Sequence, residues 1–320
     1  MNRLIASAFV VVVTATAVYA QRPSDPALLV PQTAPALDYV AVANPLSFPE
    51  GVTIGASADV AFDARGHLWV LNRGPQPLAE FDANGKFIRA FGEGMFTRTH
   101  GLRIDRDGNL WVTDVGAHYV VKMNPEGQVL MTIGTKGEQG EWNDATGSHR
   151  LNEPNDVIVA RTGDVFIVQG HTPGPKGDPR VLKFDKTGKF ITSWGGKGKE
   201  PGKFEVAHGI AIDAKGLLWV TDRENQRIQI FDDKGTFVRE VKFAGLPCGL
   251  DIGKDAIFMV NGFAGQVLKL DLQGKVLAAV GKAGNGVGEF GEAHFIAVSP
   301  KGELWVADSV NRAVQKYVKK

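Results

Sequence analysis

Six copies of one short pattern run through this chain, and that repetition restricts the fold more than any other feature. Aligned on the aromatic residue of Leu-Trp-Val, the copies place Trp69, Trp111, Phe166, Trp219, Phe258 and Trp305 at equivalent positions, 42, 55, 53, 39 and 47 residues apart. A unit of that length is one supersecondary element, too small to bury its own apolar face, so successive units must stack. Each copy reads as four short strands; in the fourth they are expected at residues 209–213, 217–221, 227–231 and 237–241. Glycine pairs punctuate the strands: Arg65-Gly66, Asp107-Gly108 and Lys215-Gly216 before the anchors, Asn84-Gly85 and Lys234-Gly235 after the third strands. Such pairs supply the positive φ of tight hairpins. No stretch of the repeat region reads as a long amphipathic helix, so the expected fold class is all-β, a six-bladed β-propeller.

The sixth copy runs out at Lys320 after three strands, whereas an apolar segment at residues 38–42 precedes the first copy and has no partner of its own. That segment is expected to complete the last blade and close the ring, which protects edges that would otherwise stay open. Two insertions break the spacing, Gly134–Leu151 between the second and third units and Gly170–Pro179 within the third.

Ahead of the propeller (residues 38–320), residues 1–20 combine Arg3, an apolar run from Leu4 to Val18 and the small residues Val18 and Ala20, the pattern of a cleavable secretory signal. Residues 21–37, rich in proline and small residues, are expected to form an extended linker. The expected location is periplasmic or secreted. No later segment approaches the roughly 20 apolar residues of a membrane helix, so no membrane association is expected. Cys248 is the only cysteine, which excludes an intramolecular disulfide. With 36 basic and 35 acidic residues the chain offers no electrostatic footprint for nucleic acid. A monomer acting on a small molecule or peptide is expected.

Eleven residues before the anchors stand Ala58, His100, Asn155, His208 and His294, with Cys248 ten before through a shorter hairpin. In a propeller the first strand of each blade lines the central channel, so these positions converge at one mouth. Three of the chain's seven histidines occupy alternate slots, and three imidazoles leaving a fourth position open are a catalytic zinc pattern. Imidazole also suits copper, nickel and iron, so the pattern leaves another transition metal open. The plainer reading makes these histidines polar plugs bonded to carbonyls of neighbouring blades. His67, His118 and His149 fall at turns or in an insertion and are expected to be solvated.

Arg73 and Arg223 both stand four residues after an anchor tryptophan, in the first and fourth units, at turns opening on the same mouth. A guanidinium there can grip a carboxylate through two parallel hydrogen bonds; the plainer reading is a structural ion pair, which Arg223-Glu224 could form locally. The residues one step earlier, Asn72, Asp114, Gln169, Asp222, Asn261 and Asp308, suit turn capping.

Through Val220-Thr221-Asp222-Arg223-Glu224-Asn225-Gln226-Arg227-Ile228-Gln229, His100-Gly101-Leu102, Ala207-His208, Val260-Asn261-Gly262 and Ala293-His294, the chain resembles the peptidyl-alpha-hydroxyglycine alpha-amidating lyases within the wider NHL-repeat propellers. The resemblance covers essentially the whole propeller. It implies zinc held by His100, His208 and His294, Arg73 and Arg223 at active-site arginine positions, and cleavage of a carboxylate-bearing hydroxyglycine end into a peptide amide and glyoxylate. Two positions depart from the family. His171 stands where the family places a tyrosine thought to transfer protons, and Phe295 stands where the family has an aspartate for a channel calcium, so His171 is the candidate acid or base and calcium is not expected. The competing reading is a non-catalytic NHL propeller that binds a ligand or protein in the periplasm.

Overall fold

A computed structural model describes residues 22–143, 145–311 and 313–320; the expected signal segment lies outside the described residues. Six four-stranded antiparallel sheets are arranged as blades. Blade I comprises Ser57–Phe62, Leu68–Asn72, Leu78–Phe81 and Phe87–Phe91; blade II comprises Thr99–Ile104, Leu110–Asp114, Tyr119–Met123 and Val129–Ile133. Blades III, IV and V begin at Pro154–Val159, Ala207–Ile212 and Pro247–Ile252 and repeat the same meander. Blade VI takes Ala293–Val298, Leu304–Asp308 and Ala313–Lys319 from one end of the propeller and Tyr39–Val42 from the other. Tyr39 faces Lys319 and Val42 faces Lys316, so the ring is closed by the early strand as the missing fourth strand required.

The anchor aromatics account for the stacking. Each is buried in an apolar cluster shared with the next blade: Trp69 with Leu102 and Val112, Trp111 with Val157 and Ile167, Phe166 with Ile210 and Val220, Trp219 with Leu250 and Met259, Phe258 with Ile296 and Val306, and Trp305 with Val60 and Val70. Six interfaces thus carry the core, and truncating one buried tryptophan to alanine costs about 3–5 kcal/mol. The indole N–H is satisfied by the acidic residue of the preceding turn, as in Trp111 to Asp105 at 3.0 Å and Trp219 to Asp213 at 3.1 Å.

Every first strand carries one extra residue relative to its neighbour. In blade II Thr99 opposes Asp114 but Leu102 opposes Val112; in blade IV Ala207 opposes Asp222 but Ile210 opposes Val220; blade VI repeats this with Ala293 opposite Asp308 and Ile296 opposite Val306. A bulge re-aims a side chain, and the residues it displaces include His100, His208 and His294. The glycines that follow two of them allow the strands to close on each other: a Cβ on Gly101 would lie 2.7 Å from the Asn155 carbonyl oxygen, and one on Gly209 2.6 Å from that of Cys248.

Residues 22–37 are extended apart from a 3₁₀ turn at Pro26–Leu29, but they are tied down along their length. Gln32 accepts from Ala244 and exchanges bonds with Gln266, Leu37 donates to the Ala279 carbonyl at 2.8 Å, and Leu28 and Leu29 pack on the interface of blades V and VI. The segment is a strap across the blades, because its backbone and its two leucines find partners that a free linker would lack. No helix among the described residues is long and apolar enough to cross a membrane.

Candidate metal centre

The bulges bring three imidazoles together on the channel axis. Ring centroids lie 4.8 Å apart for His100 and His208, 4.6 Å for His100 and His294, and 5.0 Å for His208 and His294. All three side chains are buried. His100 Nδ1 lies 2.7 Å from the Asn155 carbonyl oxygen and His294 Nδ1 lies 2.6 Å from that of Ala58, each on the neighbouring blade. A carbonyl only accepts, so each Nδ1 carries the proton and each Nε2 keeps its lone pair, as an outer-shell bond fixes the tautomer of a ligating histidine. Neither ring nitrogen of His208 has a hydrogen-bond partner among the described residues; the Cys248 carbonyl accepts from Thr221 Oγ1 at 2.7 Å, as that of Asn155 does from Thr113 Oγ1 at 2.8 Å. The polar-plug alternative therefore describes one nitrogen of His100 and one of His294, and leaves the other unexplained.

A fourth imidazole joins them. His171, carried by the Gly170–Pro179 insertion, sits 4.7 Å from His100 and 5.9 Å from His208, ring centre to ring centre. Nitrogens of His100, His171 and His208 all lie within 4.8 Å of one another. The tightest donor set thus exchanges His294 for His171, although His294 shares the strand position, burial and backbone bond of His100 and His171 does not. The strand-borne trio shares one slot of the repeat, whereas His171 comes from an insertion. His171 Nδ1 donates to Asn155 Oδ1 at 2.8 Å, which leaves Nε2 as the acceptor, 3.5 Å from an Arg98 nitrogen.

Burial and the surrounding positive charges hold His100, His171, His208 and His294 all well below the ordinary histidine pKa. Neutral imidazoles are the metal-binding form. Ten buried side-chain nitrogens and oxygens have no hydrogen-bond partner among the described residues, and seven of them belong to this mouth: Arg73 Nη1, Arg98 Nε, His100 Nε2, both nitrogens of His208, Glu224 Oε2 and Glu292 Oε1. Buried polar atoms are ordinarily paired, so a concentration of unpaired ones marks a place built for something else. The donor set and its lone pairs fit a transition ion with an open coordination position.

The two predicted arginines differ. Arg223 is held by Glu224 through two bonds to one oxygen, at 2.9 and 2.7 Å, and lies 3.7 Å from Glu292, so the local ion pair weighed from the sequence is formed. Arg73 reaches across to the Thr99 carbonyl at 3.3 Å and meets no carboxylate within ion-pair distance. Burial, reinforced by the nearby Arg98 guanidinium, pulls Arg73 down to about 10. Arg98 and Glu292 escaped the sequence reading. They share one slot, two residues before a centre histidine, and the six copies read Ala56, Arg98, Glu153, Val206, Leu246 and Glu292 there; three charges at a channel-mouth position were the available signal.

The turn residues behave as caps. Asp114 accepts from the backbone of Thr97, Arg98, Gly116 and Ala117, and Asp308 from Gly291, Val310 and Asn311, which ties each entering loop to the turn beyond the second strand. Of the histidines expected to be solvated, His67 is half-buried against Glu80 at 2.8 Å and His118 accepts from the Glu153 backbone at 3.2 Å, both claimed by neighbours the turns bring close. His149 is exposed and stacks on Trp142. Phe295 is fully buried, stacked on His208 with ring centres 5.5 Å apart, and Arg103 Cζ lies 5.4 Å from the centre of its ring.

The NHL repeat family profile matches residues 204–231 and 290–317. The chain is 35% identical over 220 residues to peptidyl-glycine alpha-amidating monooxygenase of Mus musculus, covering 61% of this chain and 22% of that protein. It is 36% identical over 168 residues to the probable peptidyl-alpha-hydroxyglycine alpha-amidating lyase pgal-1 of Caenorhabditis elegans, covering 51% and 45%. It is 29% identical over 294 residues to NHL repeat-containing protein 3 of Homo sapiens, covering 84% and 81%. The chain therefore spans about a fifth of the length of the mouse monooxygenase and under half of the nematode lyase. Among solved structures a streptogramin B lyase superposes with a TM-score of 0.61 at 16% identity, covering 88% of this chain and 98% of that one, and a gluconolactonase from Xanthomonas campestris with 0.60 at 16%, covering 89% and 99%. These two establish the propeller fold alone.

Proposed function

We propose that this NHL-repeat propeller is an exported zinc-dependent lyase acting on a hydroxylated, carboxylate-bearing substrate, a peptidyl-alpha-hydroxyglycine that it splits into a peptide amide and glyoxylate. The observation that carries the reading is the convergence of His100, His208 and His294, with His100 Nε2 and both His208 nitrogens unpaired, beside a guanidinium without a carboxylate partner among the described residues. The relative from Caenorhabditis elegans named as a lyase supports the reaction class. The N-terminal segment supports export.

In the reaction the hydroxyl of the substrate gives up its proton, its carbon becomes the aldehyde carbon of glyoxylate, the carbon–nitrogen bond breaks, and the departing nitrogen takes a proton to become the amide. His100, His208 and His294 would hold the zinc, which supplies Lewis acidity of the kind that takes the pKa of water from about 15.7 to about 7. Arg73 binds the carboxylate. Arg223 is fixed at the mouth by Glu224 and Glu292. His171 moves the proton: its neutral ring, with Nδ1 committed to Asn155, offers Nε2 to the substrate hydroxyl and can return the proton to the leaving nitrogen. A loop histidine in this place does what a phenol could, with a base already unprotonated at neutral pH.

The test is glyoxylate release from a short peptide ending in alpha-hydroxyglycine, with metal content measured on the same sample. About one zinc per chain and release that disappears in the His208→Ala protein are expected. Release equal to that of the His208→Ala control would remove the lyase assignment. A second reading, a ligand-binding propeller without turnover, draws on the human relative that spans most of this chain and whose name states only the repeat; a protein that binds zinc and carboxylate peptides but releases no glyoxylate would favour it.

A further inference from the structure

We propose that Arg98 is the second half of the anion clamp, paired with Arg73 across the interface of blades I and II, and that the group they grip is the substrate's terminal carboxylate. The inference deepens the lyase reading and rests on it only for the identity of the anion.

Among the three guanidiniums at this mouth, Arg223 is occupied by Glu224 and flanked by Glu292. Arg73 and Arg98 have no carboxylate within ion-pair distance among the described residues, and each buries a nitrogen without a hydrogen-bond partner, Nη1 of Arg73 and Nε of Arg98. Arg73 Nε already donates to the carbonyl of Thr99, the residue next to Arg98, so the first guanidinium is carried to the segment that bears the second. Arg98 in turn reaches His171 Nε2 at 3.5 Å, and His171 lies 4.7 Å from His100.

Two unpaired guanidiniums on neighbouring blades repel each other, and Arg98 contributes, after burial, to the lowered pKa of Arg73. A fold keeps such a pair when an anion relieves it. A carboxylate has two oxygens and can take parallel bonds from planar forks on either side. Room for this is provided by the backbone: a Cβ on Gly116 would sit 2.9 Å from Cβ of Arg98, so the residue behind Arg98 has no side chain. The cap formed by Asp114, which accepts from Arg98 N at 2.9 Å, fixes the start of the side chain. A cavity of about 390 Å³ lined by Arg73, Gly74, Thr97 and Thr99 opens on the Arg73 side of the pair.

Binding of N-acetylglycine, which carries the carboxylate but no hydroxyl and cannot react, tests the clamp by calorimetry on the zinc-loaded full chain. N-acetylglycinamide, its uncharged counterpart, is the reference. The parent protein should bind the carboxylate at least tenfold more tightly than the amide. Arg98→Met should lose about tenfold for the carboxylate and nothing for the amide, with zinc content and Tm unchanged; Arg98→Lys, which keeps a charge but not the fork, should fall between them. If Arg98→Met disturbs folding, Arg98→Lys decides alone, through a several-fold loss confined to the carboxylate. Carboxylate affinity and preference unchanged in Arg98→Lys and Arg98→Met would overturn the proposal. Binding that depends on Arg98 in a protein releasing no glyoxylate would support the clamp and remove the lyase reading, so the two stand or fall separately.

Discussion

The two ends of the channel are built on the same strands to opposite specifications. At the upper mouth His100 belongs to a group whose nitrogens and oxygens lack partners. Three residues further along the strand, Arg103 sits in a group where the charges are answered: it pairs with Asp59 at 2.9 Å and Asp156 at 2.5 Å, Asp59 also accepts from Val60 and Leu102, Asp156 also accepts from Val157 and Ile210, and Asp251 accepts from Val298. The guanidinium of Arg103 in blade II bonds blades I and III, and Asp156 carries the link on to blade IV. The difference separates stability from function within one short strand: satisfied buried charge holds blades together, whereas unsatisfied buried polarity waits for a ligand.

The largest effect that can break this comparison is expected at the upper end. His208→Ala should reduce glyoxylate release by more than about 10³-fold, the scale of losing a metal-dependent step, and take zinc from about one per chain to near none. The metal-free protein should keep its Tm within a few degrees of the metal-free parent. A large loss of metal-free stability would make His208 a structural plug. At the lower end Arg103→Met should do the reverse, because it leaves buried carboxylates without their cation: about 3–5 kcal/mol lost in denaturant unfolding, with zinc stoichiometry intact in the fraction that folds. An effect below about 1 kcal/mol would show that the lower cluster is not a fastening.

A smaller change sharpens the upper end. Arg73→Lys should raise KM about tenfold and lower kcat less, since a point charge replaces a fork that binds the ground state and transition state alike; an unchanged KM would return Arg73 to a structural role. The smallest expected effect is a slope. Three carboxylates share one guanidinium, and burial pushes Asp59 up to about 8 and Asp156 up to about 6. The folded protein then retains protons that the unfolded chain has released above about pH 4, so stability should decline as pH rises from about 4 towards 8. Asp59→Asn should flatten that decline, as read by denaturation midpoints at pH 5, 6, 7 and 8.

What the sequence disclosed followed periodicity. The anchors Trp69, Trp111, Trp219 and Trp305 and the histidines at alternate slots recur at fixed offsets, so one alignment exposed the blades and the convergence of His100, His208 and His294. Closure by residues 38–42 could be read because the sixth copy lacked a strand. Arg98 and Glu292 stayed hidden because their slot carries charges of opposite sign in three copies and apolar residues in the other three, so no single residue type recurs there. His171 lay within an insertion, where spacing predicts nothing; its place is set by the Asn155 side chain, a contact between segments that only folding brings together. The insertion's Thr172 and Gly174 are tied to Glu153 and Glu205 in the same way. The strap at residues 22–37 was misjudged in kind because its partners, Gln266 and Ala279, are distant in the chain.

Closure within blade VI has a consequence for how the molecule is made. Tyr39–Val42 is translated before any complete blade and must wait, unpaired, until Ala313–Lys319 has been synthesised. Five blades can form while the chain grows, but the sixth latches only when the two distant segments meet, so the final step of folding is a long loop closure and the slowest in entropy terms. A circularly permuted chain, joined at its present ends and opened at the Lys234-Gly235 turn, would move the waiting strand to another blade and change the order of assembly without altering the ring.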